Sequence, residues 1–241
     1  MADRTIPQGG LHTRRCALVL CLILTTLIGG CLSYPQPEHT YEFVEQYNRM
    51  TDRLEPALSL VYMPPDASLS PYRNLIIGNI AVGETWIEDP TRAQRYATYL
   101  RMLMVRELRG NERFDLITLN PGRDFTRPTM RLEGKVTVFD TGSGTQRFFS
   151  YFLFFLQKGG ATDFQVEGRI YDISSGELLM EFVDRRRHLG NTPYLPNPST
   201  FNDEFVMKHT VWETSKAIAN VLTATDEIPE SDQKILNEET Q

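Results

Sequence analysis

Thirteen consecutive residues without a charge, Cys16 to Ile28, decide how much of this 241-residue chain is left to fold. They follow Arg4, Arg14 and Arg15, opposed only by Asp3, and they run into Gly29-Gly30-Cys31. At about 1.5 Å per residue such a run makes a helix of about 20 Å, short of the roughly 30 Å hydrocarbon core of a bilayer. A basic stretch, a short apolar stretch and small residues at its exit form the pattern of a secretory leader rather than a spanning helix. All three cysteines (Cys16, Cys21 and Cys31) lie in this segment. The chain beyond position 31 has neither a disulfide nor a free thiol, so its core alone must hold it together.

The quartet Ile28-Gly29-Gly30-Cys31 resembles the lipobox of bacterial lipoproteins, departing from it in having Ile where Leu is preferred. The resemblance implies cleavage before Cys31 and a diacylglyceryl thioether on its sulfur, with fatty acyl chains such as palmitate. In Gram-negative lipoproteins an Asp after the cysteine retains the protein at the inner membrane. Leu32 in its place implies outer-membrane sorting, with the body facing the periplasm. One acyl chain binds a bilayer only marginally, on the order of 10⁴ M⁻¹, whereas two or three hold stably.

Charge gives the tether the same task. Loss of residues 1–30 removes three Arg and one Asp from 25 basic and 31 acidic residues, leaving 22 and 30. So acidic a body is not drawn to anionic lipid by charge, and it argues against a nucleic-acid partner. With 41% hydrophobic and 23% charged residues, the full chain is also unlike a disordered chain or a polytopic membrane protein.

The spacing predicts four segments: a leader over 1–30, a lipid-anchored tether with a short helix and a Pro-rich loop over 31–73, one domain over 74–225, and an acidic flexible tail over 226–241. In the tether Phe43, Val44, Tyr47, Met50 and Leu54 recur at helical spacing. In the domain, residues 74–82 are almost wholly apolar and read as a strand covered on both faces. Asp89-Pro90 opens a helix whose apolar face is Ala93, Ala97, Leu100, Met104 and Leu108, flanked by Tyr96 and Leu103 and ending at Gly110. A second strand covers 114–119, and 130–140 alternates with Leu132, Gly134, Val136 and Val138 on one face. Residues 162–171 and 177–187 form a hairpin about the turn 172–176, with Gly176 free to take a positive φ. A last helix over 202–223 gathers Phe205, Val211, Trp212, Ile218, Ala219 and Leu222 in one arc. The expected fold is α+β: a single two-layer domain, a mostly antiparallel sheet with a β-α-β start and a C-terminal helix packed on it.

The functional candidates are few. The run Arg147-Phe-Phe-Ser-Tyr-Phe-Leu-Phe-Phe-Leu156 is either a strand buried on both faces or an exposed aromatic surface. In the second case Phe148, Phe149, Tyr151, Phe152, Phe154 and Phe155 would meet lipid or a protein partner. Arg92, Arg95, Arg106 and Arg109 lie opposite the apolar stripe of their helix, as a solvated face does. Arg185-Arg186-Arg187-His188 ends a strand and could receive an anion, but charge at a strand end in water needs no ligand. His209 and Glu213 stand one helical turn apart and could share a metal, yet two donors without a third do not make a site. Serine-hydrolase, zinc-protease and phosphate-loop patterns do not occur, and there is no cysteine nucleophile after position 31. No catalytic residue, cofactor or metal is assigned, and an enzyme is not expected.

With those residues in view, the chain resembles the uncharacterised families of small Gram-negative outer-membrane lipoproteins. They share a lipobox, an early strand and helix, and paired strands about an Asp-x-x-Ser/Thr-Gly-Glu turn. That turn is here Asp172-Ile-Ser-Ser-Gly-Glu177, preceded by Glu167-Gly-Arg-Ile-Tyr171 and followed by Leu-Leu-Met-Glu-Phe-Val-Asp-Arg-Arg186. The likeness runs from about Asn74 to Trp212, and the Phe-rich run departs from a more glycine-rich strand. It implies a location and a two-layer shape, not a reaction. The function expected is a non-enzymatic envelope module that binds another envelope component. The alternatives are an accessory lipoprotein of a transport or secretion assembly, and a hydrolase or metal enzyme using His209 and Glu213.

Overall fold

Alternation through the hairpin and apolar continuity before it build the central sheet. The computed structural model describes residues 36–52, 58–120, 122, 125–143, 145, 161–188 and 202–224. Its strands are β1 Thr51–Asp52, β2 Leu60–Tyr62, β3 Asn74–Ile87, β4 Leu116–Thr118, β5 Thr129–Asp140, β6 Thr162–Asp172 and β7 Leu178–His188. Its helices are α1 Pro90–Arg109 and α2 Asp203–Thr223. The strand order is β1-β2-β7-β6-β5-β3-β4, antiparallel from β1 through β5 and parallel across β5, β3 and β4. The expected β-α-β start is β3-α1-β4, and both helices pack on one face of the sheet.

Each helix begins with the cap its sequence supplies. The Asp89 carboxylate accepts from the Arg92 amide and Pro90 takes the first helical position; Asn202 accepts from the amides of Glu204 and Phe205. The face of α1 expected to be apolar is buried with its flanking Tyr96 and Leu103, and Val105 joins them. The hairpin turns at Gly176, whose φ of +73° is the left-handed region that glycine enters without strain.

Register sorts every strand residue to a face. Leu132, Ile170 and Met180 lie side by side, then Gly134, Gly168 and Phe182, then Val136, Val166 and Asp184. This face meets the helices in one core with Leu75, Ile77, Leu100, Met104, Val211 and Leu222. On the opposite face, Gln165 pairs with Arg185, Glu167 with Val183, and Arg169 with Glu181.

Three expectations need correction. Residues 36–52 and 58–73 are not a tether but part of the folded unit: β2 pairs with β7, and Leu58, Leu69 and Tyr72 enter the main core. Nor do residues 41–52, the described part of the expected helix over 41–54, make one. Among the described residues of that stretch only Tyr47–Arg49 form a 3-10 turn, and Thr51–Asp52 pair as β1. The amides of Val44 and Gln46 go to the carboxylates of Glu167 and Glu181, so tertiary acceptors take the place of helical carbonyls. On α2, finally, Phe205 is 50% exposed, while Met207, Thr210, Thr214 and Ser215 are buried. Wedged against α1 as well as the sheet, α2 buries a wider and more polar stripe than its apolar arc.

Candidate functional site

Two arrangements on opposite faces of the sheet, near one end of it, bring together side chains with chemistry. The first is a strap. Residues 36–47 lie across the outer face of β6 and β7, where a solvated sheet would carry its charges in water. The strap covers them instead: Glu167 and Gln165 are fully buried, and Asp163, Glu181 and Arg185 nearly so. Such burial is tolerable only with partners, and they are present.

The Glu167 carboxylate accepts from the Tyr47 hydroxyl at 2.6 Å, from the Val44 amide at 3.0 Å and from the Thr40 hydroxyl. The Gln165 amide meets the Glu38 backbone in both directions, at 2.8 Å each way. Arg185 donates to both oxygens of Asp163 at 2.9 and 2.7 Å, to the Glu38 carboxylate at 2.9 Å and to the Gln36 carbonyl at 2.8 Å. Glu42 reaches Lys135 on β5 and accepts from the amides of Glu84 and Thr85 on β3. Burial alone would raise its pKa, but the bonds from Thr85, Lys135 and the two amides together lower it. An apolar seam of Val44, Tyr47, Leu60 and Val183 completes the contact.

The second arrangement lies on the helix face, where β7 runs out from under the core. Met180 and Phe182 are apolar there, but Asp184, Arg186 and His188 continue the same face in polar form. His188 meets two residues of α2, His209 and Glu213, four apart and hence on one side of the helix. The Nε2 of His188 lies 2.8 Å from Glu213 Oε2, and the Nδ1 of His209 lies 3.7 Å from Glu213 Oε1. The two imidazoles meet edge to face, ring centres 5.6 Å apart, and His209 packs against Trp212. His188 and Glu213 are half-buried and the His209 side chain is 44% exposed, with the three donor atoms within 4.8 Å of one another. Burial pushes the Glu213 pKa up, but the hydrogen bond from His188 and the charges of His188, His209 and Arg186 outweigh it and hold it below the usual range.

The run 185–188 therefore does not present one cationic patch. Its side chains alternate: Arg185 and Arg187 bind Asp163 on the strap face, Arg186 binds Asp184 on the helix face, and His188 turns to Glu213. On α1, Arg95, Arg106 and Arg109 are exposed as expected, while Arg92 is half-buried and donates to Thr141. Cys31 and the aromatic residues Phe148, Phe149, Tyr151, Phe152, Phe154 and Phe155 lie outside the described residues.

Spacing pairs His209 with Glu213, but nothing local supplies the third donor. The signal that could have found it was the parity of the hairpin, which puts 180, 182, 184, 186 and 188 on the face a C-terminal helix must cover. The strap gave less warning, because its acceptors are charged residues that read as a solvated face.

No protein-family model and no curated protein sequence matches the chain. Among solved structures it is similar to PelC from Paraburkholderia phytofirmans, a dodecamer, at 13% identity and a TM-score of 0.43, over 69% of this chain and 98% of that one. A DUF330 protein from Xanthomonas campestris is similar at 10% identity and a TM-score of 0.40, over 67% of this chain and 89% of that one.

Proposed function

We propose that the chain is a lipid-anchored, periplasm-facing module of the Gram-negative outer membrane that binds another envelope component and carries out no reaction of its own. The observation that carries this reading is the strap. It holds the chain from Gln36, whose carbonyl is bound by Arg185, onward, so that few positions separate Cys31 from the folded body in the sequence. Five residues span at most about 17 Å, so a lipid on Cys31 would fix the body at one end against the bilayer rather than leave it on a long leash. That end is where β5 leaves the sheet at Asp140 and β6 enters it at Thr162. The aromatic run Phe148–Phe155 lies between those positions in the sequence, and in this reading it meets the lipid or the partner.

A second reading, an accessory lipoprotein of a transport or secretion assembly, differs only in the partner. The anchor is tested by Cys31→Ser in cells fed a labelled palmitate analogue. Loss of label together with release from the membrane fraction is the expected result. Label or membrane retention that survives the substitution, in a chain cleaved at the same place, overturns the proposal.

A further inference from the structure

We infer that His188, His209 and Glu213 form a binding site for a divalent first-row transition metal, with Zn²⁺ the reference ion, that clamps α2 to the end of β7. The inference is independent of the lipid anchor: it concerns two elements of the folded body and would hold for a chain that never met a membrane.

The donor set decides the class of ion. Two imidazole nitrogens and one carboxylate oxygen suit zinc and its neighbours, whereas magnesium and calcium take sites built of oxygen. The geometry is near what the ion needs. With bonds of about 2.0–2.1 Å, tetrahedral donors stand about 3.3 Å apart. The three donor atoms here already lie within 4.8 Å, and His188 with Glu213 is at 2.8 Å. Closing the set asks each side chain to move by about 1 Å, within the reach of rotamer adjustment. The scaffold is also suitable: Glu213 and His209 sit on one turn of a long helix buried along one side, and His188 ends a strand paired over its length with β6. The exposed His209 leaves a path for the ion, while the half-burial of His188 and Glu213 limits competition from water.

The surrounding charges do not block a cation. From β7, Arg186 adds positive charge near Glu213, but Asp184 binds its guanidinium at 3.0 Å. From α2, Lys216 is held over the Trp212 ring at 3.5 Å. Among the described residues three donors converge, which leaves one tetrahedral position for water or for a donor from a partner.

The test uses the full chain in detergent, stripped of metal with a chelator and titrated with Zn²⁺ against a chromophoric competitor. One equivalent should bind. His188→Gln, His209→Gln and Glu213→Gln should each weaken it at least about tenfold, the lower end of what the loss of even an outer-shell partner costs a metal site. His39→Gln, on the strap, should leave it unchanged. Melting of the metal-free variants reports whether they fold. Should they not, Co²⁺ added to the unsubstituted chain decides: ligand-field bands of a four-coordinate nitrogen–oxygen site support the inference, and their absence overturns it. Zn²⁺ binding that is absent, or indifferent to all three substitutions in folded protein, overturns it as well.

Discussion

The Tyr47 hydroxyl donates to Glu167 at 2.6 Å, joining residues 120 positions apart and pinning the N-terminal strap to β6, the central strand of the sheet. The bond fits a phenol that stays protonated. Burial first, then the hydrogen bond to Glu167 and its negative charge, push the Tyr47 pKa well above the usual tyrosine range. The same carboxylate holds the Val44 amide and the Thr40 hydroxyl, so one fully buried side chain organises three points of the strap.

Glu167→Ala should therefore unfasten the strap before it unfolds the sheet. Removing the acceptor strands several buried donors, which costs about 3 kcal/mol. Glu167→Gln, which keeps one acceptor oxygen, should cost less. Hydrogen exchange is the measurement: the amides of Val44 and Gln46 should lose protection while those of β5 and β6 keep theirs. Uniform loss across all strands would show that the strap is not a separable unit.

At the hairpin turn, Asp172 accepts from the hydroxyl and amide of Ser174, the amide of Ser175 and the hydroxyl of Tyr72. Burial works against its charge, but these bonds prevail and hold its pKa at about 2. A folded-state pKa below the unfolded value of about 3.9 stabilises the protein above that value, and the contribution fades as the pH falls toward about 2. Asp172→Asn should lower stability at neutral pH and flatten the acid limb of the stability curve over that window. Urea midpoints across the range check it, and parallel curves for the two proteins would refute it.

Gly168 illustrates what the helix face demands of the hairpin. It stands opposite Phe182, and a Cβ placed there would run into the Phe182 ring. Phe182 is 1% exposed, so the ring has no free space to retreat into. Gly168→Ala should destabilise by about 2 kcal/mol through overpacking. In the double variant with Phe182→Leu part of that loss should return. Equal losses with and without the Phe182 substitution would place the cost elsewhere.

The elements that could be read from sequence are those whose chemistry is local. Asp89-Pro90 caps its own helix, Gly176 turns its own hairpin, and the alternation of 130–140 needs only a core on one side. The strap escaped because Phe43, Val44, Tyr47 and Met50 share helical spacing, yet the amides of Val44 and Gln46 are satisfied by carboxylates more than 100 positions away. Phe205 escaped for a related reason: a helical wheel finds an apolar arc, but the position of α1 decides which residues it covers. The His188 cluster was half legible. His209 and Glu213 form a pair by helical period, and only the packing of α2 over the end of β7 adds the third donor.

Arg185 offers the sharpest test of how the strap holds the N-terminal end of the body. Only 5% exposed, it binds both oxygens of Asp163 while spanning to the Glu38 carboxylate and the Gln36 carbonyl. A planar fork can serve these acceptors together, whereas an ammonium is a single compact charge that cannot reproduce the paired contact. Arg185→Ala leaves the Asp163 carboxylate with Arg187 as its remaining described ionic partner, and should cost about 3–5 kcal/mol. Arg185→Lys should fall between that value and the unsubstituted protein, preserving the charge but releasing residues 36–38. Limited proteolysis distinguishes the two effects, because in the lysine variant cleavage near Gln36 should accelerate while the melting temperature falls less than in the alanine variant. Cleavage there at the unsubstituted rate would mean that Arg185 does not hold the strap.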